Sequence, residues 1–486
     1  MKKIFIFILI LSITFFFACK PDQPSAPQLN VTLQELALSK IVMVGNSLTA
    51  GYQSSGMMED FQLNSYPYQL FQQVASLTGA TEFEQPLVSE PGIGLPAGDG
   101  IILTPLYLDS EGNLTSDTLT VSPLLLLKNA LLSRPYDNLG VPGADLNDLL
   151  NTYGGVPTNP WFDMILRNPN FGNTTQLKQV AMLQPTMVLL WAGSNDVLGA
   201  ALDGGDLDQI TSQADFQSRM QQILTQLRND LGAKPIIMAN IPYVTDIPYI
   251  NTVDHIFVGQ GNTPVLFDNN LQVISFPGVP GDGYLPLLTV ESNVEHITLE
   301  GLLAYQQGLG VPDSAYMVDN LGLQSAQASQ LQSGMILAGL IPTGLPLGET
   351  MTLTSTESST IKDAVDGFNT TINALATTFQ VPVVDANAAL TELNENGIDG
   401  ASGRFVLVAP TNTAFSLDGV HANNAGNAIV ANEFIKVINA ILQLDTPIPE
   451  VNVSTKLGQY VPGMAKATLG KSILNVKKIF SKKEVF

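Results

Sequence analysis

The stretch Lys40-Ile-Val-Met-Val44 runs directly into Gly45-Asn-Ser-Leu-Thr-Ala-Gly51. Its first half is short, β-branched and continuously apolar. A strand covered on both faces of a parallel sheet reads this way, because no alternate position has to meet water. The run stops at Gly45. A serine at a strand end, flanked by glycine, can stand exposed on a tight turn into a helix, whose N-terminus favours developing negative charge. Taken alone, the motif fits an ordinary serine N-cap equally well.

Working outward, runs of the same kind occur at Met187-Val-Leu-Leu-Trp191, Pro235-Ile-Ile-Met-Ala239 and Val381-Pro-Val-Val-Asp385. Helical patterns separate them. Phe216, Met220, Ile223, Leu224, Leu227 and Leu231 fall on one stripe of a 3.6-residue period. A second stripe is predicted within 423–442, on Ile429, Val430, Phe434, Val437, Ile438 and Ile441, and a third within 359–379, on Ile361, Val365, Phe368, Ile372 and Leu375. Strands alternating with helices of this length indicate a parallel sheet covered on both faces. The rhythm fails between about 251 and 352, where Gly and Pro punctuate short apolar pieces, so this stretch reads as an insertion with its own structure. A smaller insertion is expected at about 83–127.

The chain has 486 residues, 45% of them apolar and 13% charged, which suits one enlarged globular domain and not a disordered chain. Its 41 Gly and 30 Pro imply many loops. The formal charge of −22 argues against nucleic acid as a partner. Residues 1–19 contain Lys2, Lys3, an apolar run over 4–18 and then Cys19, the sole cysteine. This reads as an export signal, too short for a membrane span of ~20 residues. The placement of Cys19 resembles the lipobox of bacterial lipoproteins, in which that residue is lipidated. Ala18 fits the pattern, and Phe16 and Phe17 depart from it. Lys20 after the cysteine resembles lipoproteins moved on to the outer membrane, on its periplasmic or surface face. Residues 20–36, rich in Pro and polar side chains, read as a tether, and 37–445 as the folded domain. Residues 446–486 read as a basic tail, with seven lysines and a single acid from Lys456 onward. With one cysteine there is no internal disulfide and no cysteine-based metal site.

The chemistry-bearing residues are spread along the chain. Asp418-Gly-Val-His421 places a carboxylate three residues before an imidazole, so it can reach Nδ1–H and leave Nε2 for a nucleophile. The other histidines, His255 and His296, stand next to Asp254 and Glu295 in the irregular stretch, and in an extended segment adjacent side chains point to opposite faces. Asn138-Leu-Gly-Val-Pro-Gly143 follows a plausible second strand, and a glycine there lets a backbone N–H approach a ligand. Gly193-Ser-Asn-Asp196 follows the strand ending at Trp191 and brings Asn195 to the carboxyl edge of the sheet, where ligands of open α/β sheets gather. Each cluster by itself also reads as a turn.

Ser in GNSLTAG, Gly in NLGVPGA, Asn in GSND and the pair in DGVH resemble, in order, the four sequence blocks of the SGNH (GDSL-type) serine hydrolase family. The resemblance implies a flavodoxin-like three-layer α/β/α sandwich around a central parallel sheet, here with a large insertion. It implies Ser47 as nucleophile, His421 as general base and Asp418 as the group that orients the base. The oxyanion hole would be the N–H of Ser47, the N–H of Gly143 and the side-chain amide of Asn195. No metal or organic cofactor is implied. Asn46 stands where the family commonly has Asp, and Ala422 where Pro often follows the histidine.

The expected activity is hydrolysis of carboxylic esters, lipid-like or otherwise small, through a covalent acyl-enzyme. The apolar 251–352 stretch is a candidate lid that would also provide an acyl groove. Removal of acetyl groups from a glycan is the alternative within the same fold, weakly supported by an aromatic content of 7% with two Trp. A surface lipoprotein that binds without catalysing is the alternative from another class.

Overall fold

The computed structural model describes residues 33–98, 101–109, 114–155, 159–251, 256–257, 285–337, 340–403 and 412–458. The export signal with Cys19, most of the tether, His255 and the lysine-rich end from 459 lie outside the described residues. At the centre are five strands: β1 (Ile41–Gly45), β2 (Asn138–Gly140), β3 (Met187–Trp191), β4 (Ile236–Ala239) and β5 (Val383–Val384). All pair in parallel, in the order β5-β4-β3-β1-β2. From the β2 edge this is 2-1-3-4-5, the flavodoxin-like order, whose switch point lies between β1 and β3. Every residue of β1, β3 and β4 is buried, which explains why these strands read as unbroken apolar runs.

The helices that matter here are α1 (Ser47–Ala50), α2 (Tyr66–Thr78), α3 (Gln176–Leu183), α4 (Asn195–Leu202), α5 (Gln213–Leu231), α6 (Ser355–Phe379), α7 (Ala386–Glu395) and α8 (Asn424–Leu442). One packed set is α2 with α8; the other is α5 with α3 and α6. The stripe expected on α5 is the buried one, Phe216 to Leu231. Phe216 stacks on Phe368 of α6 with ring centroids 3.9 Å apart. α6 starts at Ser355, four residues earlier than the apolar period suggests. Its start is set by a capping box, in which Thr354 Oγ1 accepts from the Glu357 N–H and Glu357 accepts from the Thr354 N–H.

Three expectations are corrected. Asn138-Leu-Gly140 does not follow the second strand but is that strand, paired with Met43 to Gly45. It escapes an apolar-run reading because it is three residues long and opens on a polar one, whose Nδ2 donates to the Thr49 carbonyl at 2.8 Å. Close approach fixes Gly140, where a Cβ would sit 2.3 Å from the Ala50 nitrogen. Residues 446–458 are not free tail. Ile448, Val451 and Val453 are buried, and Asn432 and Asn439 of α8 pair with the backbone of Val451 and Ile448. The third correction concerns the stripe on α8, where Ile441 is exposed and Val430 and Val437 are half-buried, while Ala431, Ile435 and Leu442 are buried.

Within 83–127 a small antiparallel sheet joins Pro96–Gly98, Ile101–Leu103 and Thr118–Leu119. Within 251–352, Val294–Ile297 pairs with Thr352–Thr354, and Leu287, Ile297, Ala304 and Leu347 form a satellite core. The stacked pair makes a direct test of the layer between α5 and α6. Replacing Phe216 with Ala deletes a side chain buried to 0% exposure and is expected to lower unfolding stability by about 3–5 kcal/mol in urea denaturation.

Candidate active site

Asn46 caps α1 by accepting from the Leu48 N–H at 3.1 Å, so Ser47 becomes the first helical residue after β1. Its hydroxyl stands at the carboxyl edge of the sheet, on the switch-point side. His421 Nε2 lies 2.9 Å from Ser47 Oγ, and His421 Nδ1 lies 2.9 Å from Asp418 Oδ2. Sequence separation is 374 residues across the first contact and three across the second.

Asp418 is fully buried, which alone would raise its pKa, but the charge of His421 and several hydrogen bonds hold it below the usual carboxylate range. Oδ1 accepts from Ser416 Oγ at 3.0 Å and from the N–H groups of Val420 and His421 at 2.9 Å. Oδ2 also accepts from the Ser55 N–H at 2.8 Å. The Tyr52 ring lies 4.8 Å from the imidazole and fixes it from one side. Burial, with the Asp418 charge second, pushes the Tyr52 phenol well above its ordinary pKa, so it stays neutral.

Gly143 has φ +78°, a left-handed conformation that glycine adopts without strain. Its loop is fastened to β1 through the Val141 N–H, which donates to the Gly45 carbonyl at 3.1 Å. Asn195, at the start of α4, donates from Nδ2 to the Ala144 carbonyl at 2.9 Å. The amide has a second N–H on the same nitrogen. Ser47, Asn195 and His421 line one cleft of about 120 Å³, together with Ser194 and a long apolar wall. Gly143 is not part of that lining; it joins the group through the loop that Asn195 holds. His296 stays apart, on the strand Val294–Ile297, with Nε2 4.0 Å from Glu295.

Among the described residues, none of 251–352 lines the cleft. Its wall comes instead from the strand ends, the turn 242–247, α7 and α8. Leu299, among the insertion's described residues, packs against Gly419. Four others, Leu287, Ile297, Ala304 and Leu347, serve the satellite core, and sequence alone does not distinguish that use from a groove.

Several site residues carry no signal in the sequence. Tyr52 and Ser55 reach His421 and Asp418 only once the fold is closed, and Ser416 bonds Asp418 locally. Gln176 of α3 ties β1 to the edge strand β2 by donating to the carbonyls of Gly45 at 2.8 Å and Leu139 at 2.6 Å. Asp196, beside Asn195, accepts from the Leu146 N–H at 3.1 Å and so clamps the far end of the Gly143 loop.

An α/β fold of flavodoxin-like order with a serine, an imidazole and a buried carboxylate in series at its switch point defines a serine-hydrolase class of site. Residues 41–272 match the family described as GDSL-like Lipase/Acylhydrolase. No curated protein matches the chain. Among solved structures it is similar to Axe2, an acetylxylan esterase from Geobacillus stearothermophilus, at 11% identity, covering 82% of this chain and 94% of that one with a TM-score of 0.32. It is also similar to LAE5, an alpha/beta hydrolase enzyme from the metagenome of Lake Arreo, Spain, at 12% identity over 83% and 96% of the two chains, again with a TM-score of 0.32.

Burial, with the Asp145 charge second, raises Asp196 from 3.8 to about 7, although Arg219 stands 3.8 Å away. Between those two values the folded chain holds a proton that the unfolded chain has lost. Asp196 therefore costs stability as pH rises through this window, and the cost is complete above it. Asp196→Asn, which cannot ionise, is expected to gain on the parent protein between about pH 4 and about pH 7 when urea midpoints are compared. An unchanged difference across that range would contradict the assignment.

Proposed function

We propose that this chain is an exported serine ester hydrolase in which Ser47 is the nucleophile, His421 the general base and acid, and Asp418 the group that orients His421. The observation that carries the reading is the unbroken series from Ser47 Oγ to His421 Nε2 and from His421 Nδ1 to Asp418, each link 2.9 Å. Ser47 Oγ attacks the ester carbonyl carbon while its proton passes to His421 Nε2. The tetrahedral oxyanion faces the N–H groups of Ser47 and Gly143 and the amide of Asn195. Collapse breaks the bond to the alcohol, which leaves with the proton from His421. Water then gives a proton to His421, attacks the acyl-serine, and the carboxylic acid departs as the serine is reprotonated. Asp418 stays ionised throughout, because it accepts from two N–H groups on Oδ1 and from one on Oδ2 besides the imidazole.

A fluorophosphonate probe should label the wild type and leave Ser47→Ala and His421→Ala unlabelled. Equal labelling of Ser47→Ala would reject the assignment. Asn195→Ala should retain labelling but lose about 10²–10³ in kcat, since one donor to the oxyanion is gone.

The same proposal puts the enzyme on a membrane through lipid on Cys19, supported by Lys2, Lys3 and the apolar run that ends at that cysteine. The outer membrane is the proposed site. Radiolabelled palmitate should be incorporated into the wild type and not into Cys19→Ala.

A further inference from the structure

Beyond Ser47 the cleft changes character. α7 presents Ala389, Leu390 and Leu393 to it, and α8 presents Ile429, Val430 and Phe434. On each helix the three residues fall within one turn or slightly more, at the spacings of one and three or four that share a face. Both stripes line the same cleft. Leu198, Val244 and Ile247 continue the apolar lining between them. The polar side chains of Asn46, Ser47, Ser194, Asn195 and His421 come from the three segments that carry the relay and the oxyanion donors. The remaining charged group, Glu433, sits on α8 paired with Lys436 at 2.7 Å.

We propose that this cleft between α7 and α8 is the acyl subsite, that it takes an unbranched aliphatic chain of medium length, and that Leu390 and Val430 set the length accepted. The proposal rests on Ser47 being the nucleophile. The acyl group remains bonded to Ser47 Oγ after the alcohol has gone, so it is the part of the ester that needs a lasting apolar berth. Acetate would leave both helix walls unused. From Gly426 to Phe434 the lined face of α8 runs eight residue steps, roughly 12 Å at 1.5 Å per residue, which suits a chain shorter than those of membrane lipids. Leu390 and Val430 line the cleft and are half-buried, so side-chain volume there changes the room available without emptying the core.

The test uses the full chain in mild detergent and p-nitrophenyl esters of acetate, octanoate and palmitate, so that only the acyl group varies. The wild type should show kcat/KM for octanoate at least about tenfold above acetate, the discrimination that one methylene commands in an apolar pocket. Val430→Phe and Leu390→Phe should each lower the octanoate-to-acetate ratio about tenfold, and Val430→Ala should raise the palmitate-to-octanoate ratio. Because the readout is a ratio within each variant, partial loss of folded protein does not imitate the result. A wild type that labels with fluorophosphonate but prefers acetate, or whose ratio ignores both Phe substitutions, overturns the acyl subsite and leaves Ser47 standing. A wild type that hydrolyses none of the esters and does not label overturns the reading beneath it.

Discussion

The carboxylate of Asp418 is a negative charge with no contact to water, and the catalytic end of the molecule depends on its being satisfied. An ion taken out of water costs several kcal/mol unless its lone pairs are met. Here five donors meet them: Ser416 Oγ, the N–H groups of Val420, His421 and Ser55, and His421 Nδ1. Ser55 belongs to the turn that follows α1, 363 residues away. The charge is thus affordable only in a chain whose first and last segments have closed on each other. Ser54 strengthens the closure, since its N–H donates to Ser416 Oγ at 2.9 Å. The same closure sets Ser47 against His421, so assembly of the relay and burial of its charge are one event.

Sheet topology supplies the second half of the arrangement. In the order 2-1-3-4-5, the chain leaves β1 and β3 toward opposite faces of the sheet, which opens a crevice at their carboxyl ends. Ser47 follows β1 and Asn195 follows β3, on either side of that crevice. The Gly143 loop follows β2, the neighbour of β1, and reaches the crevice because Asn195 and Asp196 hold Ala144 and Leu146. Three short turns from three adjacent strands therefore converge without any long excursion of the backbone.

What the sequence reveals and what it conceals follows from the range of the forces involved. Runs such as Met187 to Trp191 were legible because a strand buried on both faces has to be apolar at every position. The helices α5 and α8 were legible because one face of each is core. The relay was legible in part, since three residues separate Asp418 from His421 and block order brought in Ser47. The strand Asn138–Gly140 was hidden by its brevity and by Asn138, a buried polar residue whose partner, Thr49, is far off in sequence. Tyr52 and Ser55 were hidden for the same reason. Their roles exist only as distances across the closed fold, whereas Ser416 bonds Asp418 two residues on. Residues 446–458 misled through the lysines beyond them, while Ile448, Val451 and Val453 were already spaced for burial.

Among the described residues, the cleft inherits its shape from the sheet and the helices that follow it. Asp385 caps α7 by accepting from the Ala388 N–H at 3.0 Å, and its Oδ1 also accepts from Asn240 Nδ2 at 2.7 Å. Asn240 in turn accepts from the Asn387 N–H at 2.9 Å, and its carbonyl accepts from Trp191 Nε1 at 3.0 Å. A chain of hydrogen bonds thus runs from the end of β3 through the residue after β4 to the first turn of α7. α8 is anchored just as firmly. Its N-cap Asn423 accepts from the N–H groups of Ala425 and Gly426 and donates to the carbonyls of Thr413 and Phe415. Both walls are fixed at the end nearest the serine, so cleft width is set by the strand edge that also positions Asn195 and Ser47. Side-chain volume on the two walls is then the quantity left free to vary, because changing it disturbs neither the caps nor the buried charge of Asp418.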